Sequence, residues 1–325
     1  MAFNLSDHVQ EWTLCDSEGG VDYNKLDERI DYLARTRFIE YLPTCGPHPD
    51  FRSRLSDWLE QMKSDEDRKL LLRLVPELFF VQRDDIAALY RAAMRGPIFR
   101  WLIDLNNIAF DDRQIEKRLK DAIRQTWFCP ITDSLLIAEF YHVNNIEGVD
   151  YRPDWRSLNL FGKPSDIVTH MADNKLKQIV LLEDFVGSGS QVRDTIESAA
   201  RLSPDIPVLV IPLIVCPIGA DMGRRIARQY KNMSFCPIVT LKENMLLNAG
   251  AVPDEPEIFS KLRNLVVACY PQVKGKTPGH KYGPFGFNDT GTLIVTYSNC
   301  PDNTLPIIHY SSDTWKPIFP RASRL

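Results

Sequence analysis

Short, unbroken apolar runs separated by amphipathic stretches constrain this chain more than anything else in it. KQIVLLEDF (177–185), PVLVIPLIVC (207–216) and MSFCPIVTL (233–241) are each too short for an ordinary helix and too apolar for a strand with one wet face. Such runs read as strands buried on both faces, the habit of parallel sheets covered by helices. The stretches between them supply those helices. SQVRDTIESAARL puts Val192, Ile196, Ala199 and Ala200 on one side, and GADMGRRIARQYKN follows the next strand. Upstream, TWFCPI (126–131) reads as a further buried strand and LLIAEFYHV (135–143) as a helix, with Thr-Asp-Ser between them. Strand, loop and helix in alternation predict an α/β fold with a parallel sheet. Right-handed crossovers then gather the loops that follow the strands along one edge.

The first part of the chain has another texture. DERIDYLARTRFIEYL, FRSRLSDWLEQM and DRKLLLRLVPELFF carry apolar residues at helical spacing, the third ended or kinked by Pro76. DDIAALYRAAMRGPIFRWLIDLNN opens on acids suited to a helix start and is interrupted at Gly96-Pro97. The pattern predicts a helical N-terminal module over 1–120, with a role in scaffolding or partner contact, and an α/β domain over 121–325. PEIFSKLRNLVVACY (256–270) reads as a late helix and TLIVTYS (292–298) as a strand, within a mixed C-terminal segment from about 256 to 325.

Composition removes several classes. With 44% hydrophobic and 25% charged residues the chain reads as a soluble globular protein, and a net charge of −4 offers no general attraction for nucleic acid or anionic lipid. No apolar run approaches a membrane span, and MAFNLSDHVQEW is no secretory signal. The cysteines (Cys15, Cys45, Cys129, Cys216, Cys236, Cys269, Cys300) are scattered singly without CxxC, and the histidines form no HExxH, so neither a zinc site nor a disulfide framework is expected. Buried thiols in a reducing cytoplasm are the expectation.

The most specific chemistry lies in IVLLEDFVGSGSQ (179–191), where an acid pair precedes a glycine loop. A Walker A loop needs a lysine after its last glycine, and none follows Gly189. A dinucleotide fingerprint needs a third glycine where Val192 stands. A sugar phosphate suits both halves of the stretch. Glu183 and Asp184 would accept hydrogen bonds from vicinal ribose hydroxyls, while residues 187–191 and the following helix start would hold the 5′-phosphate. The alternative is an ordinary strand-to-helix turn with solvated acids.

Apolar residues, two acids, two apolar residues and a Gly/Ser-rich loop resemble the signature motif of type I phosphoribosyltransferases, though Gly187 and Ser190 depart from the commoner Thr-Thr-Gly-Gly-Thr loop. The helical N-terminal part, PITDS and the tail YGPFGFNDTG…NCPDNTLPIIHYSSDTWKPIFPR look like the phosphoribosyltransferase-like proteins of bacterial anti-phage gene neighbourhoods, including retron-type systems. The resemblance implies a parallel-sheet phosphoribosyltransferase-like core with a helical N-terminal extension and a C-terminal hood. It gives Glu183 and Asp184 the hydroxyls of phosphoribosyl pyrophosphate, and Gly187, Ser188, Gly189, Ser190 and Gln191 its 5′-phosphate. Thr132, Asp133 and Ser134 become the pyrophosphate loop, unless Asp133 or Ser134 is simply a helix cap. Mg²⁺ would accompany the pyrophosphate, through Asp133 or Asp184. Segment 150–168, with Arg152, Arg156 and Lys163 among Tyr151, Trp155 and Phe161, becomes a mobile loop over the reacting centre, the alternative being a solvated surface loop. Tyr282, Phe285, Phe287, Tyr310, Trp315 and Phe319 would stack on a base or serve as core, and His309, in an expected strand, is read as structural.

The implied activity is phosphoribosyl transfer, or cleavage of a nucleotide N-glycosidic bond, by an effector of anti-phage defence. The ligand would be phosphoribosyl pyrophosphate or a nucleotide, with partner proteins meeting the helical module. The alternative is a regulatory module that binds a nucleotide or partner without turnover.

Overall fold

The computed structural model of the protein describes residues 4–15, 20–44, 50–148, 150–154, 163–276 and 282–322. Cys45, Trp155, Arg156 and Phe161 lie outside them.

The chain begins with α1 (Leu5–Cys15), α2 (Tyr23–Thr36), α3 (Phe51–Glu60) and α4 (Asp65–Leu74). Asp22, Asp50 and Ser64 start the last three, each side chain accepting a first-turn amide that the helix itself cannot satisfy. Pro76 stops α4 in a single tight turn, and β1 (Phe79–Val81) follows where the sequence pattern gives only helix. α5 (Arg83–Ala93) and α6 (Phe99–Leu105) are continuous across Gly96-Pro97, against the interruption expected there. Met94–Ile98 form one π-type turn in which the Phe99 amide reaches the Met94 carbonyl, so one extra residue accommodates the N–H that proline lacks.

α7 (Ile115–Arg124), β2 (Thr126–Pro130), α8 (Ile137–Val143) and α9 (Pro164–Asp173) come next. β3 (Gln178–Val186), α10 (Ser190–Arg201), β4 (Val208–Val215) and α11 (Pro217–Gln229) give the alternation read from the sequence. MSFCPIVTL yields two short strands, β5 (Met233–Phe235) and β6 (Val239–Thr240), both parallel to β4. The registers on either side of the break set Pro237 opposite Pro212. Pro212 has no N–H to give to this strand, whose amides at Cys236 and Ile238 still reach the carbonyls of Val210 and Pro212 at 2.9 and 3.0 Å, so the ladder loses one bond there. α12 (Ile258–Lys274), β7 (Ile294–Thr296) and α13 (Pro306–His309) complete the chain. His309 thus ends a short helix instead of lying in a strand; it is buried with Nε2 3.0 Å from the Thr304 carbonyl.

The chain divides into two compact units, Met1–Arg83 with Glu243–Leu325, and Asp84–Lys242. The division differs from a single boundary at 120, and side-chain packing gives the reason. In the first unit both ends of the chain share one core. The rings of Phe38, Phe51 and Phe80 surround Phe319 at centroid distances of 5.2 to 5.9 Å, and Tyr41 meets it edge-on at 5.1 Å. Arg54 and Trp58 of α3 donate to the carbonyls of Ile318 and Ile307, each at 2.8 Å. β1 pairs in parallel with β7, Phe79 opposite Ile294. Phe285, Trp315 and Phe319 are therefore core residues, while Tyr282, Phe287 and Tyr310 are half-buried and meet edge-on.

The second unit is a parallel sheet in the order β2-β3-β4-β5, with β6 also on β4. Side chains alternate between its faces. Trp127 and Cys129 of β2 join Leu181, Val210, Ile196 and Ile226 in one layer. Phe128 points the other way, to Phe140 of α8 at 5.4 Å, and Phe140 meets Tyr90 of α5 at 5.6 Å. That second layer draws α5 into this unit. Helices on both faces explain the apolar runs: every residue of β2 and β4 is buried. Cys129 and Cys216 are buried with it, whereas Cys15, elsewhere, is exposed, against the expectation for thiols.

None of the helices among the described residues is long and apolar enough to cross a membrane. Phe319→Ala is expected to cost about 3–5 kcal/mol, the usual loss for a large buried ring. Chemical denaturation followed by tryptophan fluorescence would measure it.

Candidate functional site

The acid pair lies at the end of β3, and the parallel register decides what meets it. Pro130 of β2 stands opposite Leu182, and the Ile131 amide continues the ladder to the Leu182 carbonyl at 2.8 Å. The chain then leaves the sheet with Thr132 beside Glu183. The Thr132 amide donates to Glu183 Oε2 at 2.8 Å, and its hydroxyl to Oε1 at 2.5 Å. Ser134 Oγ lies 3.2 Å from Glu183 Oε1 and 2.8 Å from Asp184 Oδ1, to which it donates. Asp184 Oδ1 also accepts the Phe185 amide at 2.8 Å. Thr132 and Ser134 thus join the loop after β2 to both acids of β3.

The acids differ in access. Glu183 is 2% exposed and Asp184 half-buried. Burial pushes the Glu183 carboxyl up from 4.5 to about 8, and the neighbouring Asp184 carboxylate adds to it. The donors of Thr132 and Ser134 pull the other way without overcoming those two effects. Both effects favour the protonated form of Glu183, and Asp184 is the more accessible of the two acids.

Gly187 to Gln191 turn the chain from β3 into α10. Gly189 occupies the position before the helix with φ +85°, a left-handed conformation that a side chain would strain. Glycine has no side chain to cap α10, the Ser190 amide lies 3.5 Å from Ser188 Oγ, and the positive end of a twelve-residue helix faces the loop. Ser188 and Ser190 place their hydroxyls 3.1 Å apart on the same turn. Gln191 is exposed in the first turn of α10.

Gly219, in the first turn of α11, is a site residue that reading the sequence missed. A Cβ built on it would stand 2.5 Å from the Gly187 carbonyl oxygen, so the bare backbone lets α11 press against the loop. The signal was there, in the glycines at 219 and 223 on the inner face of an amphipathic helix.

Other candidates fall elsewhere. Asp133 and Ser134 do not cap α8, which begins after Leu136 without a side-chain cap, so Ser134 is available to the acids. Asp133 is exposed. Arg152 is no loop cation: it is 4% exposed, its Nε donates to the Thr126 carbonyl at 2.7 Å, and its Nη2 to that of Ile123 at 2.8 Å. Its guanidinium lies over the Tyr151, Phe128 and Tyr141 rings at 4.7, 5.6 and 6.0 Å. It fastens the turn at 147–148 to the start of β2. Lys163 precedes α9, its amide held by the Asp166 carboxylate at 2.8 Å, so the expected loop 150–168 ends in the first turn of a helix. Arg156 lies outside the described residues.

Among the described residues no three His, Cys, Asp or Glu side chains gather as a metal cage. Asp184 at the end of β3 and Asp133 on the loop after β2 are oxygen donors. Such a pair fits Mg²⁺ when phosphate oxygens and water complete its shell, the way that ion usually sits among phosphates.

Comparison with known proteins adds one finding. The family model PRTase-CE matches residues 55–321 of the chain. No curated protein and no solved structure matches it.

Two outcomes are expected from this geometry. Glu183 holds its proton more tightly folded than unfolded, so its contribution to stability is full below about pH 4.5 and is lost as pH rises through about 8. Glu183→Gln should remove that decline, seen as denaturation midpoints that change less between pH 5 and 8.5 than in the wild type. Gly219→Ala should destabilise the protein by about 1–3 kcal/mol, because the obstacle is backbone and cannot rotate away. Urea titration would report it.

Proposed function

The chain belongs to the PRTase-CE family, a phosphoribosyltransferase-like family, and on that premise we propose that β3 and the loop after it grip a ribose 5-phosphate group. The carrying observation is one strand end that presents a half-buried carboxylate, Asp184, directly before a glycine turn that leads into the N-terminus of a twelve-residue helix. A ribose 5-phosphate has vicinal hydroxyls at one end and a dianion at the other, which matches that order. Asp184 takes the hydroxyls; the backbone and hydroxyls of 187–191 take the phosphate. Glu183 contributes through Thr132 and Ser134, holding the loop after β2 against the sugar site.

The reaction we assign is substitution at C1 of phosphoribosyl pyrophosphate, or at C1 of a nucleotide. The bond from C1 to its leaving group breaks, the departing pyrophosphate or base keeps the electron pair, and a nitrogen or water oxygen bonds to C1. Fixing the sugar at both ends orients C1 for substitution. Residues 132–134, tied to the acids, are where pyrophosphate would lie. Mg²⁺, held by Asp133 or Asp184 with the phosphates, would neutralise the leaving group. The gene-neighbourhood resemblance supports a place in anti-phage defence, as an effector that consumes or modifies nucleotides.

Incubating the protein with phosphoribosyl pyrophosphate, a nucleotide panel and Mg²⁺, then analysing small molecules by mass spectrometry, tests the chemistry. New ribosyl products, or free base and ribose 5-phosphate, are expected. Asp184→Asn should lower turnover at least about tenfold, the scale of one charge-assisted hydrogen bond. Ligand binding with no product from any nucleotide would favour a regulatory module instead. Full activity in Glu183→Gln/Asp184→Asn would refute the grip.

A further inference from the structure

The first unit has a cavity of its own, about 700 Å³ in volume, between α4 and α12. That is the size of a small-molecule site. Its walls follow from helix geometry. Glu66, Lys69, Leu70 and Arg73 recur at three- and four-residue spacing along one face of α4, and Lys261, Leu265, Ala268 and Gln272 do so on α12. Side chains near the helix contact make the floor apolar, with Met62 and Leu265 buried and Cys269 Sγ 3.8 Å from Met62 Sδ. Long cationic side chains form the rim.

The charges on that rim are unevenly answered. Lys63, Arg73 and Lys261 make no ion pair among the described residues. Elsewhere on α4, Arg68 is paired to Asp65 at 2.6 Å, and Arg52 on α3 to Asp27 at 2.8 Å. Lys69 leans inward, its Nζ 5.5 Å from the Tyr23 ring centre and 5.9 Å from that of Trp12. Two acids, Glu66 and Asp67, also line the groove, and Asp67 accepts the Ser64 hydroxyl at the helix start. In a chain of net charge −4, a concavity where cations outnumber acids concentrates small anions from solution.

We propose that this groove binds a nucleoside polyphosphate. Phosphates would neutralise Lys63, Arg73 and Lys261, and the flat base would cover the apolar floor. A purely inorganic anion would leave that floor wet, and a purely apolar ligand would bury cations without partners. The site belongs to the first unit and is independent of the ribose-phosphate reading of the second. It gives the helical part of the chain a ligand of its own.

Hydrogen–deuterium exchange on the full chain, with and without millimolar adenosine triphosphate, tests this. Exchange should slow several-fold in α4 and α12. Arg73→Glu/Lys261→Glu should abolish that protection and weaken binding by calorimetry at least tenfold, and Lys63→Glu/Lys261→Glu, both at exposed positions, should do the same if the first pair fails to fold. Asp184→Asn should keep it. Absence of protection in α4 and α12, protection that survives charge reversal, or protection lost with Asp184→Asn would each overturn the proposal. Protection by a polyglutamate peptide but not by adenosine triphosphate would do so too, assigning the groove to an acidic chain.

Discussion

A carboxyl group buried at the end of a central strand must find its hydrogen-bond donors within the protein, and Glu183 finds them on the loop after the neighbouring strand. Two donors from Thr132 converge on it, and Ser134 Oγ, 3.2 Å from the same carboxyl, donates to Asp184. Taking a carboxyl out of water without such donors costs several kcal/mol, so the loop and the strand end are fixed together. The rest of the site depends on that clasp. It sets the exposure of Asp184 and the path of residues 131–135. It exists because the β2–β3 register is parallel and places Thr132 one step past Glu183's neighbour.

The sheet makes the clasp possible by leaving its polar work to one edge. Strands covered on both faces have no room for charge along their length, so polar side chains collect where the strands end. β3 is apolar from Ile179 to Leu182 and becomes acidic at Glu183. Glycine then removes side chains where two backbones meet: Gly189 allows the left-handed turn, and Gly219 allows α11 to lie against Gly187. A rigid frame under a glycine turn at a helix N-terminus suits an anion whose position has to be fixed.

Much of this was legible in the sequence. Apolar runs gave the strands of the second unit, and amphipathic spacing gave α10 and α11, because burial on both faces leaves an unmistakable pattern. The acid pair and glycine loop stood out as types that buried strands seldom carry. What stayed hidden required knowing which segments meet. Phe319 reads as a possible base-stacking residue until Phe38 and Phe51, far away in the chain, are seen around it. Arg152 reads as a loop cation because nothing local shows the Thr126 and Ile123 carbonyls it will reach. Pro212 and Pro237 lie inside apolar runs, and only the parallel register shows that they stand opposite each other. The division into units likewise depends on which segments meet, since the first unit is made from both ends of the chain.

Whether the turn after β3 holds a sugar phosphate can be seen outright in a crystal structure of the protein grown with ribose 5-phosphate. The phosphate should lie within hydrogen-bond reach of the amides of residues 188–191, with the 2′- and 3′-hydroxyls on Asp184 and the Thr132–Glu183 clasp retained. Density for the sugar phosphate elsewhere, with that turn occupied only by water, would contradict it.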